Sequence, residues 1–123
     1  MDLTFVGEPC DLGVLAWEGE ISGRIKGRMV FWSLLLEFNV PNEGWAHFQE
    51  IWQIFSLKTG KLLLQGVDEG YVTPEARYFM SGEVTVASHR YRRYIGHQVF
   101  MFGIINWEVF MEKGTAPGTF LLF

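Results

Sequence analysis

The chain has 123 residues, 49% of them hydrophobic, enough for one domain spanning residues 1–123 whose core needs neither disulfides nor metal. Ten Lys plus Arg against 14 Asp plus Glu leave a formal charge of −4, without the basic footprint that wraps nucleic acid. Cys10 is the single cysteine, the first residues lack the basic and apolar parts of a signal peptide, and no apolar run approaches the roughly 20 residues that span a bilayer, so a soluble, cytoplasmic protein with no membrane partner is expected.

Aromatics make up 16% of the chain and 14 glycines break it at short intervals, the pattern of an all-β protein without a long amphipathic helix. A short strand is possible at residues 3–6, followed by strands at 13–23 and 27–39. Gly19, Gly23 and Gly27 recur every four residues, marking bends or close backbone approach. Pro41-Asn42-Glu43-Gly44 stops the run, and the next strand covers 45–57. Trp17, Met29, Phe31 and Trp32 fall on these first strands as aromatic or soft apolar groups, fit either to pack a core or to line a cavity.

The segment around Thr59-Gly60 reads as a three-residue hairpin loop, with Gly60 in the left-handed position and Leu57 opposite Lys61. A strand at 61–70 then pairs back with partners summing to 118. Ser56 faces Leu62, Ile54 faces Leu64, Trp52 faces Gly66, Glu50 faces Asp68 and Phe48 faces Gly70. The even-numbered face is mostly apolar and sets a large Trp over a Gly, whereas the odd face carries His47, Gln49, Gln53, Gln65 and Glu69. The even face is therefore assigned to the interior, and Glu50 and Asp68 become cross-strand neighbours with Cβ atoms about 5 Å apart. Burial and like charge both raise proton affinity, as suits a general acid or base. The alternative is a solvated pair at a barrel mouth, balanced by Arg28, Arg77 or a Lys.

Thr73-Pro74 bends the chain before a strand at 76–87, on which Tyr78, Met80, Gly82, Val84 and Val86 share the inward face. Tyr78 either orients a ligand oxygen or is a core phenol satisfied by backbone. The cluster Ser88 to Tyr94 mixes cations with aromatics, as in a solvated loop or an anion-attracting cap. A strand at 95–109 aligns His97, Val99, Met101, Gly103, Ile105 and Trp107, placing an imidazole near one barrel end. After the break at Gly114 to Gly118, a last strand covers 117–123. Several strands are apolar on both faces, so either long loops or an oligomer interface through Leu63, Phe79, Phe100 and Phe102 covers the outside. Gly66, Gly82 and Gly103 on inward faces favour a cavity over a filled barrel.

No phosphate loop, dinucleotide fingerprint, nucleophile elbow or Cys/His metal spacing is present, and no cofactor or metal is expected. From residue 45 onward, the order and spacing of "HFQEIWQIFSLKTGKLLLQGVDEG", "YFMSGEVTVASHRYRRYIGHQVFMFG" and "APGTFLLF" resemble the allene oxide cyclase and dirigent type of calycin-like β-barrel. The resemblance implies an antiparallel barrel of about eight strands with an apolar cavity and a dimeric or trimeric habit. It also implies an activity such as cyclisation. No catalytic residue of that family maps onto this chain, so Glu50, Asp68, Tyr78 and His97 stand as catalytic candidates on their own chemistry. Trp17, Met29, Phe31, Trp32, Phe48, Trp52, Met80, Met101 and Trp107 are the candidate substrate wall. The expected function is cofactor-free isomerisation, cyclisation or epoxide opening of a hydrophobic substrate, with a non-catalytic carrier or sensor as the alternative.

Overall fold

Alternating inward and outward side chains, cut by Gly and Pro turns, fold in the computed structural model into a closed barrel of eight antiparallel strands, described over residues 2–11, 15–105 and 118–123. The strands are β1 (Asp2–Asp11), β2 (Leu15–Ser22), β3 (Gly27–Phe38), β4 (Ala46–Ser56), β5 (Leu62–Val72), β6 (Arg77–Ala87), β7 (Gln98–Ile104) and β8 (Gly118–Leu122). Each pairs with its sequence neighbour, and β1 pairs with β8 to close the ring, for example Leu3 with Phe120. Closure removes every sheet edge. The sequence expectation of a four-residue first strand is corrected: β1 extends to Asp11 because β2 pairs with it from Leu15 to Ser22. Of the expected strand at 95–109, the described residues form strand from Gln98 to Ile104. Its start is displaced by a 3-10 turn over His89–Tyr94, and residues 106–109, including Trp107, lie outside the described residues.

Three bulges set which side chains face inward. Leu34 has no partner between the pairs Ser33–Glu50 and Leu35–Gln49, so odd residues point in before it and even residues after it. Leu63 is the extra residue between Phe55–Leu62 and Ile54–Leu64. Thr85 plays the same part between Gly66–Val84 and Gln65–Val86. The Thr85 bulge turns Val86 outward, correcting its sequence assignment to the interior. The hairpin loop is also one residue longer than expected. Ser56 bonds to Lys61 through its N–H at 2.9 Å, and Gly60 takes the left-handed φ of 72°. The added loop residue and the Leu63 bulge compensate each other, so the register Ile54–Leu64, Trp52–Gly66, Glu50–Asp68 and Phe48–Gly70 is as expected, while Ser56–Leu62 and Leu57–Lys61 are not formed.

The half of the barrel toward the 3-10 turn is filled by Leu3, Ile21, Ile54, Leu64, Val84 and Leu122. Trp52 crosses its centre, edge-on to Phe120 at 5.2 Å between ring centroids. A Cβ at Gly66 would overlap the Trp52 ring, and one at Gly82 would overlap the Val67 carbonyl. These inward glycines are thus occupied by close approach, and they do not open the cavity that their small size suggested. Outside, Phe79 and Phe102 face each other across β6 and β7, with Phe100 and Ile104 beside them, all partly exposed. Among the described residues no helix is long and apolar enough to cross a membrane.

Gly66→Ala therefore forces the Trp52 ring from its seat and is expected to cost about 1–3 kcal/mol by overpacking, lowering Tm by several degrees. Gly60→Ala, in open space, meets only the left-handed backbone cost of about 1–2 kcal/mol. Thermal denaturation in which Gly66→Ala matches the parent protein would contradict the packing described.

Candidate functional site

The described residues do not fill the opposite half of the barrel. On β4 the inward residues run Phe48, Glu50, Trp52, and above Trp52 the walls stand apart around a cavity of about 330 Å³. That is the lower end of the size range of small-molecule sites. Phe5, Phe31, Phe48, Met80 and Met101 form much of its wall, with Trp17 beside them. The β3–β4 loop contributes Asn39, Gly44 and Trp45 to the cavity's lining. Asn39, at φ 62°, accepts a hydrogen bond on Oδ1 from the Gly44 N–H at 3.0 Å, and its own N–H donates to the Trp45 carbonyl at 2.6 Å. This knot holds Trp45 and the 70% exposed Phe38 at the rim.

The polar groups of the wall are few. Glu50 lines the cavity at 6% exposure, flanked across the sheet by Ser33 on β3 and Asp68 on β5. Asp68 is 5% exposed and does not line the cavity; it backs Glu50. Neither Asp68 oxygen meets an N–H or hydroxyl of the described residues, so the hydrogen bond between the two carboxyl groups needs a proton of their own. Burial pushes Glu50 up to about 7, opposed by its hydrogen bond with Asp68. Asp68 is raised well above the usual carboxyl range, first by burial, then by the Glu50 charge and by the same hydrogen bond. Asp68 is thus a carboxylic acid donating to a Glu50 carboxylate, with Glu50 exchanging its proton near neutrality. Tyr78 is raised by burial and then by the Glu50 charge, so it stays a neutral phenol. A Cβ at Gly118 would overlap the Tyr78 hydroxyl, so that glycine makes the room for it.

The structure brings Glu50, Asp68 and Tyr78 together and separates them from His97. His97 is exposed at the filled end of the barrel, where Nδ1 contacts the Phe123 carbonyl and the ring lies edge-on to Tyr94 at 5.4 Å. Its strand faces inward as expected from Val99 to Ile105, but His97 lies before the strand begins, at the end away from the cavity. Trp32 is also corrected. It faces outward, donating from Nε1 to Gln53 Oε1 at 2.8 Å, while Gln53 donates to Gln65. Met29 and Trp52 are packed beneath the cavity and do not line it, and Trp107 lies outside the described residues. Sequence reasoning missed Ser33, Leu36, Phe38 and Asn39 as cavity residues. The run Leu34-Leu35-Leu36 gives no alternation from which the Leu34 bulge is read, whereas Asn39 before Pro41 carries a loop signal. The suggested cations do not balance the carboxyl pair: Arg28 binds Glu18 at 2.6 Å and lies over the Phe55 ring outside, and Arg77 is exposed. Among the described residues no group of three or more His, Cys, Asp or Glu side chains gathers as a metal site.

The fold and the site define a closed eight-stranded antiparallel barrel with a ligand-sized apolar cavity and an interior acid pair. No protein-family model, curated protein or solved structure matches the chain.

A carboxyl group raised on folding favours the folded state when protonated. The Glu50 contribution is fully present below its ordinary value of 4.5 and is lost as pH rises through about 7; this amounts to about 3 kcal/mol, and Asp68 carries the loss to higher pH. Thermal denaturation between about pH 4 and pH 8 should therefore show falling Tm with a shallower slope in Asp68→Asn. Equal slopes in the two proteins would contradict the raised pair.

Proposed function

We propose that this protein is an enzyme that binds a hydrophobic small molecule in the barrel cavity and promotes isomerisation, cyclisation or epoxide opening without a cofactor. The observation that carries this reading is the position of Glu50, the carboxyl group among the described residues of a largely apolar wall, whose proton exchanges near neutrality. Glu50 takes or gives the proton at the reacting atom. Asp68 acts through it as a positioning residue, holding Glu50 and refilling its proton. Tyr78, a neutral phenol on the same wall, orients a substrate oxygen. Phe31, Phe48, Met80 and Met101 hold the chain of the substrate in a reactive conformation, a gain from positioning.

Kinship with the allene oxide cyclase and dirigent barrels belongs to the same proposal, supported by the eight-stranded antiparallel closure, which is a likeness of fold alone. Self-association through Phe79, Phe100 and Phe102 belongs to it as well, on the strength of their exposure on adjacent strands. A cytoplasmic setting rests on the single cysteine. The second reading, a carrier or sensor, draws on the same cavity and differs only in leaving its ligand unchanged.

Incubation with a panel of polyene epoxides and oxygenated polyenes, followed by mass spectrometry and chiral chromatography, tests the enzyme reading. Turnover should show an inflection near pH 7, rising if Glu50 is the base and falling if it is the acid. Glu50→Gln should lower kcat by about 100-fold or more with a smaller change in KM. Binding without conversion would favour the carrier, and unchanged kcat in both Glu50→Gln and Asp68→Asn would refute the acid/base role.

A further inference from the structure

Among the described side chains, the elements around the interior acid pair supply no counter-charge. β3 places Ser33 beside Glu50, and β5 contributes Asp68 itself. β6 sets Gly82 opposite Asp68 and Tyr78 nearer the mouth. β7 offers Val99 and Met101, β1 and β2 offer Phe5 and Trp17, and β8 offers Phe120. Arg28 is committed to Glu18 on the outer surface, while Arg90, Arg92 and Arg93 sit on the 3-10 turn at the filled end. A buried carboxylate with no cation is costly, and here one member of the pair faces a cavity walled by aromatic rings.

We propose that the cavity takes a hydrophobic ligand bearing a protonated amine, seated with its ammonium against Glu50 and its apolar body against Phe5, Phe31 and Phe48. This rests on the reading of the cavity as the ligand site, and it does not depend on catalysis. An ammonium seated against Glu50 brings in one group a positive charge and N–H donors to the carboxyl that faces the cavity. Aromatic faces add attraction for the cation of about 0.5–2 kcal/mol in a desolvated site. A neutral molecule of the same shape leaves the pair holding its proton and gains only the apolar contacts. The ligand's charge also draws it inward, since the chain is net negative and Glu37 and Glu43 flank the rim loop.

Binding of the cation competes with the proton held by the pair, so uptake of the amine releases a proton near neutral pH. The probes are phenethylamine and its neutral isostere 2-phenylethanol, measured by titration calorimetry on the full chain at about pH 8 and about pH 5.5 in buffers of different ionisation enthalpy. The amine is expected to bind about tenfold or more tighter than the alcohol at the higher pH, where Glu50 is ionised, and to lose most of that preference at the lower pH, where the Glu50 proton must leave first. Proton release on amine binding therefore grows as pH falls through about 7. In Glu50→Gln the preference for the amine over the alcohol should vanish. Proton release by the unmodified protein gives a readout that holds even where that variant fails to fold. Alcohol binding as tight as amine binding overturns the amine inference and leaves the cavity as a ligand site. Amine preference that survives in Glu50→Gln, or binding of neither probe, also overturns it, and the turnover assay judges the enzyme reading separately.

Discussion

Two carboxyl groups are fixed side by side on the inward face of the β4–β5 hairpin, and the chemistry of the barrel follows from that constraint. Antiparallel pairing at Glu50–Asp68 brings them to neighbour distance, closure of the sheet removes them from water, and no described cation relieves them. The pair therefore keeps a proton where isolated carboxyls lose theirs, and only Glu50 presents itself to the cavity. The arrangement lowers stability at neutral pH, and the packed half of the barrel offsets it: fully burying each Leu, Ile or Phe of that half contributes about 1.5–3 kcal/mol.

That offset depends on how the interior is divided. Trp52, seated over Gly66 and against Phe120, separates a packed half from an open one, with Glu50 one inward position above it. The Leu34 bulge then turns Leu36 and Phe38 toward the mouth, so the open half is walled by apolar groups up to its rim. Tyr78 depends on the same economy of small residues, since Gly118 leaves the room that its hydroxyl occupies. Substitution of these glycines acts on the site through packing, without touching a carboxyl group.

The β4–β5 hairpin was legible in the sequence because Gly60 marks the turn and the alternation of Phe48, Glu50, Trp52 and Ile54 is clean. Even there, the loop length and the Leu63 bulge were both unseen, and the interior register survived because they cancel. Alternation also placed Tyr78, Met80, Val99 and Met101 correctly on the inner face. It failed where the chain is apolar on both faces. Nothing in "FWSLLLEF" tells which side Trp32 takes or where parity changes, and Trp32 is held outside by Gln53, a partner 21 residues away. His97 shows a different limit: parity says which way a residue faces along a strand, and His97 precedes the strand, at the end remote from Glu50. The cavity itself was legible only as a possibility, since Gly66 and Gly82, two of the glycines that suggested it, are closely approached by neighbouring atoms, and the open space is lined instead by Asn39, Gly44 and Trp45 of the β3–β4 loop.

The central claim is that Glu50 and Asp68 hold a proton between them inside the barrel. Carbon-13 NMR of protein labelled at the Glu and Asp side-chain carboxyls, with Glu50→Gln and Asp68→Asn used for assignment, follows both groups directly through a pH titration. Glu50 should titrate near 7, Asp68 should stay protonated above that point, and each resonance should respond to both steps. Two independent titrations, both complete below about pH 5, would contradict the shared proton.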